Sequence, residues 1–259
     1  MSAIVRLTLV IFLLSSTLLA HASDLAKERR WADQIVDSII SGDAIWLNDG
    51  SSKFLSIYTT AEGNSDRAVI IMHGIGAHPD WQQVVHPLRV GLTDYGWNTL
   101  SIQMPILAND AKATDYAPLF PKEVPARINA AIKYLHENGV THIVLVGHSM
   151  GSIMGAYYLS KHSENLEGFV GIGMSGHLGS GAMDASHSLK SIHIPVLDLY
   201  GSDDLKSVLN TTKQRKAAAK TAGNKYYSQE MIKGANHFFD GRDDELISAV
   251  SHWLNNLPK

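Results

Sequence analysis

Apolar runs and amphipathic stretches alternate along most of the chain, a pattern typical of strands that each lead into a helix. The run from Ala68 to Met72 is continuously apolar, as expected for a strand that is covered on both faces. The stretch from Pro125 to Asn138 has apolar residues at helical spacing, and Gly139 follows it as a helix stop. Repeated strand–helix units predict an α/β fold with a mostly parallel, doubly wound sheet and helices on both faces.

A single domain accounts for this alternation, because a chain of 259 residues can bury one full core and the sequence contains no internal repeat. We expect that domain to span residues 23–259. The predicted strands are 54–59, 68–72, 99–103, 143–146, 169–172, 196–200 and 226–232, and the predicted helices are 24–40, 84–93, 125–138, the segment after 149, 213–221 and 243–254.

The first 22 residues have a different pattern, that of a secretory signal peptide. Arg6 precedes an apolar stretch from Leu7 to Ala20, and Ala20-His21-Ala22 forms a small-x-small cleavage pattern before Ser23. The alternative is an uncleaved membrane anchor, but 14 apolar residues are short for a span that needs about 20. We therefore expect residues 1–22 to be removed, a periplasmic or secreted protein, and no stable membrane span after cleavage.

Charge and composition exclude several classes of function. The net charge of −3 and the absence of a Lys/Arg run argue against nucleic-acid binding. The chain has no cysteine, which excludes disulfides, cysteine nucleophiles and thiolate metal sites. It also has no H-E-x-x-H motif and no acidic residues clustered with histidines, so we predict no metal and no cofactor.

The segment Gly147-His148-Ser149-Met150-Gly151 follows a predicted strand and opens a predicted helix. A serine on such a sharp turn has its hydroxyl raised above the carboxyl ends of the strands, and the tight turn requires small neighbours. The pattern alone also occurs in ordinary strand–helix turns. In this context it predicts Ser149 as a catalytic nucleophile.

A serine nucleophile requires a base and an acid that orients the base, in the chain order serine, acid, histidine. His237 fits the base because it lies between the last strand and the last helix. Asp203 and Asp204 both follow the strand that ends at Tyr200, and we prefer Asp204, although position alone does not separate the two. Asp198 lies about 10 Å deeper in that strand and is predicted to be a buried structural residue.

An acyl-transfer site also needs backbone donors for the oxyanion. The amide of Met150 is one candidate, since it follows the nucleophile at a helix N-terminus. The glycine-flanked Ile75, in the loop after an early strand, is assigned the second amide.

The segments "MHGIG", "GHSMG", "YGSDD" and "GANHFF" together resemble the α/β-hydrolase family, in its order and approximate spacing. The segments "RRWADQI", "HPLRVGLTDYGWNTLSIQMP" and "PVLDLYGS" are similar to an exported bacterial branch of that family described as a domain of unknown function. The resemblance implies the α/β-hydrolase fold and a serine triad, but it implies no particular substrate.

These patterns lead to the hypothesis of a serine hydrolase that cleaves a small-molecule or envelope-associated acyl ester through an acyl-enzyme. The same machinery also serves acyltransferases, thioesterases and peptidases, and a non-catalytic binding protein on a hydrolase scaffold is a further alternative. The segment 174–193 is too short for a full helical cap, so we expect a minimal cap. The loop 105–124 is either a pocket wall or a surface connection packed by its own aromatic residues.

Overall fold

The computed structural model describes residues 23–63, 65–162, 165–179 and 181–258. The predicted signal peptide, residues 1–22, lies outside the described residues. One eight-stranded sheet crosses the molecule in the order β1-β2-β4-β3-β5-β6-β7-β8. The strands are β1 Asp43–Asn48, β2 Lys53–Thr59, β3 Arg67–Met72, β4 Asn98–Ile102, β5 His142–His148, β6 Gly168–Ile172, β7 Val196–Asp203 and β8 Tyr227–Asn236.

Strands β3 to β8 are all parallel to one another. Strands β1 and β2 form one edge of the sheet, where β1 pairs with β2 and β2 pairs with β4 in antiparallel fashion. The prediction of a mostly parallel sheet is therefore confirmed. Strand β1 is absent from the predicted elements because it is an edge strand in which only Leu47 is buried, so it has no continuous apolar run. Strand β8 ends four residues later than predicted, at Asn236.

The helices lie on both faces of the sheet, as predicted, and several turns of 3₁₀ helix extend them. No helix in the described part of the chain is long and apolar enough to cross a membrane. The helices are α1 Leu25–Ile35, α2 Val85–Gly91, α3 Glu123–Glu137, α4 Met150–Leu159, α5 Ala185–Leu189, α6 Lys206–Leu209, α7 Thr212–Thr221 and α8 Asp243–Asn255.

Two apolar clusters fill the spaces between the sheet and its helices. Because successive side chains of a strand point to opposite faces, the central strand β3 contributes to both clusters. Ile70 packs with residues of α3, α4 and α5 on one face, and Ile71 packs with residues of α2 and α8 on the other. The sheet is thus buried on both sides at its centre, where β3 and β5 carry the loops that form the candidate site.

A buried ion pair joins β7 to α7. Asp198 is fully buried, and its two carboxylate oxygens accept hydrogen bonds from Nε and Nη2 of Arg215 at 2.7 and 3.0 Å. The hydroxyl of Tyr227 and the amide of Gln229 also donate to Oδ2 of Asp198, at 2.6 and 2.8 Å. Asp198 is therefore the buried, hydrogen-bonded residue that its depth in the strand predicts.

A buried histidine joins the loops that follow β3 and β4. Nε2 of His73 accepts a hydrogen bond from the backbone amide of Met104 at 2.9 Å, and Nδ1 donates to the carbonyl of Gly74 at 2.8 Å. Burial lowers the pKa of His73 to about 3, from 6.5 for an ordinary histidine. The imidazole is therefore neutral in the folded protein at neutral pH, and its Nε2 is free to accept.

We predict that Asp198→Asn lowers the free energy of unfolding by about 3–5 kcal/mol, because it leaves the buried guanidinium of Arg215 without its counter-charge. The urea midpoint measures this loss. Asp203→Asn is the matched control, since Asp203 is exposed at the end of the same strand and should lose little. A loss below about 1 kcal/mol for Asp198→Asn would contradict the assigned role.

We predict that His73 makes the protein less stable as the pH falls from 6.5 towards 3. The unfolded chain binds a proton at this residue across that range while the folded protein does not, so the free energy of unfolding falls by about 1.4 kcal/mol per pH unit. His73→Gln should remove that component from the slope of urea midpoint against pH. His252→Gln, on the exposed side of α8, is the control, and an unchanged slope for His73→Gln would refute the prediction.

Candidate active site

Ser149 is the single residue between β5 and α4, and it has a backbone conformation that residues with a side chain rarely adopt. Its φ is 54° and its ψ is −119°, and its amide donates to the carbonyl of Ile172 in β6 at 2.9 Å. A side chain at Gly147 would collide with the backbone of Gly151, and one at Gly151 would collide with the carbonyl of Met72. The two glycines therefore allow the tight turn that the sequence pattern predicts.

His237 and Asp204 meet Ser149 in a continuous chain of hydrogen bonds. Nε2 of His237 lies 2.9 Å from Oγ of Ser149, and Nδ1 of His237 lies 2.6 Å from Oδ1 of Asp204. Asp204 follows β7 and His237 follows β8, so neighbouring parallel strands carry both side chains to the same edge of the sheet. The structure thus brings together the three residues predicted for catalysis.

The two adjacent carboxylates after β7 have different surroundings. The Asp204 side chain is fully buried, and its Oδ1 also accepts a hydrogen bond from the amide of Leu205 at 2.7 Å. Asp203 is exposed, and its Oδ1 accepts from the hydroxyl of Ser202 at 3.1 Å. Of the two, Asp204 is the one whose carboxylate contacts His237, and Leu205 helps to hold its orientation.

A second histidine lies against the first, a contact that sequence patterns do not predict. The rings of His148 and His237 are 5.0 Å apart, and Nε2 of His148 donates to the backbone carbonyl of His237 at 2.9 Å. Burial, together with the neighbouring His237, lowers the pKa of His148 to about 4. A neutral His148 therefore holds the backbone of His237 from the strand that leads into Ser149.

Ile75 and Met150, whose backbone amides are the predicted oxyanion donors, both line the cavity beside Ser149. Met150 is the first residue of α4, where the helix dipole favours negative charge. Ile75 follows Gly74, which packs closely against Ser149. A Cβ atom at position 74 would lie only 3.0 Å from Cβ of Ser149. Neither amide has an acceptor within the described residues, so both are available to a bound oxygen.

A small apolar cavity opens beside Ser149. Its volume is about 180 Å³, comparable to about six water molecules in the liquid. Two of its large apolar lining side chains, Ile75 and Leu205, are exposed to solvent at 43% and 51%. The cavity is lined by Ile75, Ala113, Ser149, Met150, Ile153, Gly173, Ser175, Leu178, Leu205, Ser207, Val208 and His237.

The segment between β6 and β7 and the loop 105–124 form the surroundings of the cavity. In its described part, the first segment contains one turn of 3₁₀ helix, Gly181–Met183, and the short helix α5. The aromatic residues Tyr116 and Phe120 of the loop are buried in the core, and Ala113 reaches the cavity. The loop therefore combines the two roles expected of it, being packed by its own aromatic residues and contributing one wall residue.

Within the described residues, no three His, Asp or Glu side chains converge in a way that could hold a metal ion. The absence of a metal and of a cofactor stays a prediction from the sequence.

Solved structures of α/β-hydrolases are similar to this fold. Est1E of Butyrivibrio proteoclasticus, solved with ferulic acid bound, is 16% identical with a TM-score of 0.66, over 83% of this chain and 99% of Est1E. The lidless α/β serine hydrolase XC6422 of Xanthomonas campestris is 15% identical with a TM-score of 0.64, over 85% of this chain and 97% of XC6422. At these identities the likeness shows the fold, so the predicted α/β-hydrolase fold is confirmed.

Sequence comparison adds a family but no activity. No curated protein matches the chain. A family model described as a protein of unknown function, DUF3530, matches residues 7–121 and 111–256, which together span nearly the whole chain. The expected resemblance to a family of unknown function within the α/β-hydrolases is therefore confirmed, and the protein belongs to the DUF3530 family.

Proposed function

We propose that the protein is a serine hydrolase that cleaves carboxylic esters through an acyl-enzyme. The observation that carries this proposal is the chain of hydrogen bonds from Ser149 through His237 to Asp204. Such a chain activates a weak hydroxyl nucleophile, because the imidazole takes the proton of the hydroxyl while the carboxylate stabilises the imidazolium.

In the first half of the proposed reaction, Oγ of Ser149 attacks the ester carbonyl carbon as Nε2 of His237 takes the hydroxyl proton. The negative charge on the carbonyl oxygen is stabilised by the amides of Ile75 and Met150. When the tetrahedral intermediate collapses, the bond to the alcohol oxygen breaks and His237 returns the proton to the leaving alcohol. The products of this half are the alcohol and an ester of Ser149.

In the second half, water repeats the attack on the acyl-enzyme. His237 takes a proton from the water, the tetrahedral intermediate forms at the same two amides, and its collapse releases the carboxylic acid and restores Ser149. Throughout, Asp204 keeps Nδ1 of His237 protonated, so that Nε2 is the nitrogen that exchanges protons.

The surroundings of Ser149 support an ester with one small apolar group. The cavity of about 180 Å³ is lined mainly by apolar side chains, and the exposed apolar residues around it favour an uncharged substrate. Est1E was solved with ferulic acid bound, and two further neighbours are described as a serine hydrolase homologue and a member of the serine hydrolases, so the proposal agrees with those two in class. A small-molecule ester or an acyl ester of the cell envelope fits these features.

Acyl transfer, thioester cleavage and peptide cleavage use the same three side chains, and the choice of acceptor or leaving group separates them. Screening p-nitrophenyl esters of increasing chain length, with and without an added alcohol acceptor, tests the proposal directly. A protein that neither turns over these esters nor reacts with a fluorophosphonate would instead be a binding protein on this scaffold.

We also propose that the protein acts in the periplasm or outside the cell. The apolar stretch from Leu7 to Ala20 and the Ala20-His21-Ala22 pattern support this location.

We predict that Ser149→Ala abolishes labelling by a fluorophosphonate and lowers ester turnover to background. The fold should survive, because the methyl group of alanine occupies less space than the side chain that it replaces. Circular dichroism and the urea midpoint confirm folding. Ser160→Ala, at the other end of α4, is the matched control and should react as wild type does. Turnover near the wild-type rate in folded Ser149→Ala would rule out this nucleophile.

We predict that Asp204→Asn lowers kcat by up to ~10⁴-fold, because an amide at this position favours the wrong tautomer of His237. Asp203→Asn, the control on the adjacent residue, should change kcat far less, since Asp203 contacts Ser202 and faces solvent. The kcat of each variant is measured on the same activated ester. Equal losses in the two variants, or a greater loss in Asp203→Asn, would contradict the assignment of the acid.

A further inference from the structure

The backbone nitrogen of Ser23 lies against a carboxylate. It is 3.2 Å from Oε1 and 3.4 Å from Oε2 of Glu123, the first residue of helix α3. Ser23 is only 8% exposed, and its hydroxyl accepts a hydrogen bond from Nη2 of Arg127 at 3.3 Å. A peptide N–H has one hydrogen to share between those two oxygens, whereas an ammonium group has three hydrogens and a positive charge.

Carboxylates outnumber cations around Ser23. Arg127 lies 2.9 Å from the carboxylate of Glu28 and 3.5 Å from that of Asp49. With Asp24 and Glu123 there are four carboxylates, and the cations of the same segments are the guanidinium of Arg127 and the ammonium of Lys27, which donates to the carbonyl of Leu107. Burial raises the pKa of Glu28 to about 7, against the effect of the neighbouring Arg127 guanidinium, which lowers it.

We infer that Ser23 is the N-terminus of the mature protein and that Glu123 binds its α-ammonium group as a built part of the fold. Hydrolysis of the peptide bond between Ala22 and Ser23 by a signal peptidase leaves a carboxylate on Ala22 and an amine on Ser23, which takes up a proton. That proton brings the cations of the cluster to three, against four carboxylates. The inference rests on the proposed export and is independent of the proposed catalytic chemistry.

The amine that cleavage leaves on Ser23 lies at a buried position beside the first residue of α3. The ammonium group then joins the start of the chain to the start of α3, and the backbone amide of Asp24 donates to the carbonyl of Ile106 at 2.7 Å. These contacts hold the two ends of the loop 105–122, from which Ala113 reaches the cavity beside Ser149. Processing and the completion of this wall are thereby linked.

The decisive measurement is the pKa of the Ser23 amine in protein that starts at Ser23, from competitive labelling with acetic anhydride read by mass spectrometry. Its neighbouring titratable or charged groups are Asp24, Lys27, Glu28, Asp49, Tyr116, Glu123 and Arg127. We expect a pKa at least about one unit above the ordinary 7.7–8.0, a tenfold change in the acid constant. Glu123→Gln should remove that rise, whereas Glu137→Gln, an exposed residue of the same helix, should keep it.

A second measurement applies even if Glu123→Gln fails to fold. Protein with a free Ser23 amine should unfold at a higher temperature than the Nα-acetylated protein below pH 8, since the folded state raises the pKa of the amine. That difference should vanish as the pH rises through the raised pKa. Equal melting temperatures below pH 8, or an ordinary amine pKa in the wild type, would overturn the inference.

N-terminal sequencing of protein from the cell envelope tests the cleavage site itself, and we expect Ser23 as the first residue. A different first residue would also overturn the inference. Neither result would affect fluorophosphonate labelling of Ser149, so a failure here is distinguishable from a failure of the proposed hydrolase function.

Discussion

The close approach of helix α4 to strand β3 is the constraint on which the candidate site depends. Gly151, in the first turn of the helix, packs against the backbone of Met72, where no side chain could fit. This contact places Ser149 beside the loop that follows β3, and it brings the start of the helix near the amide of Ile75. The positive φ of Ser149 is the backbone strain that this arrangement requires.

Three fully buried arginines fix helices and loops to specific places in a protein that has no cysteine. Ion pairs of this kind contribute little net stability compared with apolar residues of equal size, but an unpaired partner is strongly destabilising. They therefore act chiefly against alternative packings of similar apolar surfaces. The pairs are Arg89–Asp80, Arg127–Glu28 and Arg215–Asp198.

Local patterns predicted the centre of the fold better than its edges. Strands such as β3 and β5 are continuously buried, so their apolar runs identify them, whereas β1 is half exposed and has no such signal. The positions of Ser149 and His237 follow from the strand–loop–helix order. Asp203 and Asp204 are adjacent in sequence, and only the direction of each side chain at the register shift between β7 and β8 separates them.

Contacts between distant segments are what the sequence could not predict. The packing of His148 on His237 depends on how β5 and β8 end in three dimensions, and no spacing rule links the two positions. The same holds for the cluster around Ser23, whose members come from α1, the β1–β2 turn and α3. A motif lies within one short segment and can be recognised there, whereas such clusters form only when distant segments of the chain pack together.

The shape of the cavity bears on selectivity in the proposed reaction. The carbon attacked by Ser149 has to lie between Oγ and the two amides, so the ester bond is fixed at the mouth of a space of about 180 Å³. One side of the ester is therefore limited in size by the cavity. The group on the other side of the ester lies outside this cavity. We therefore expect the rate of ester cleavage to depend strongly on the size of the group that enters the cavity and weakly on the size of the other group.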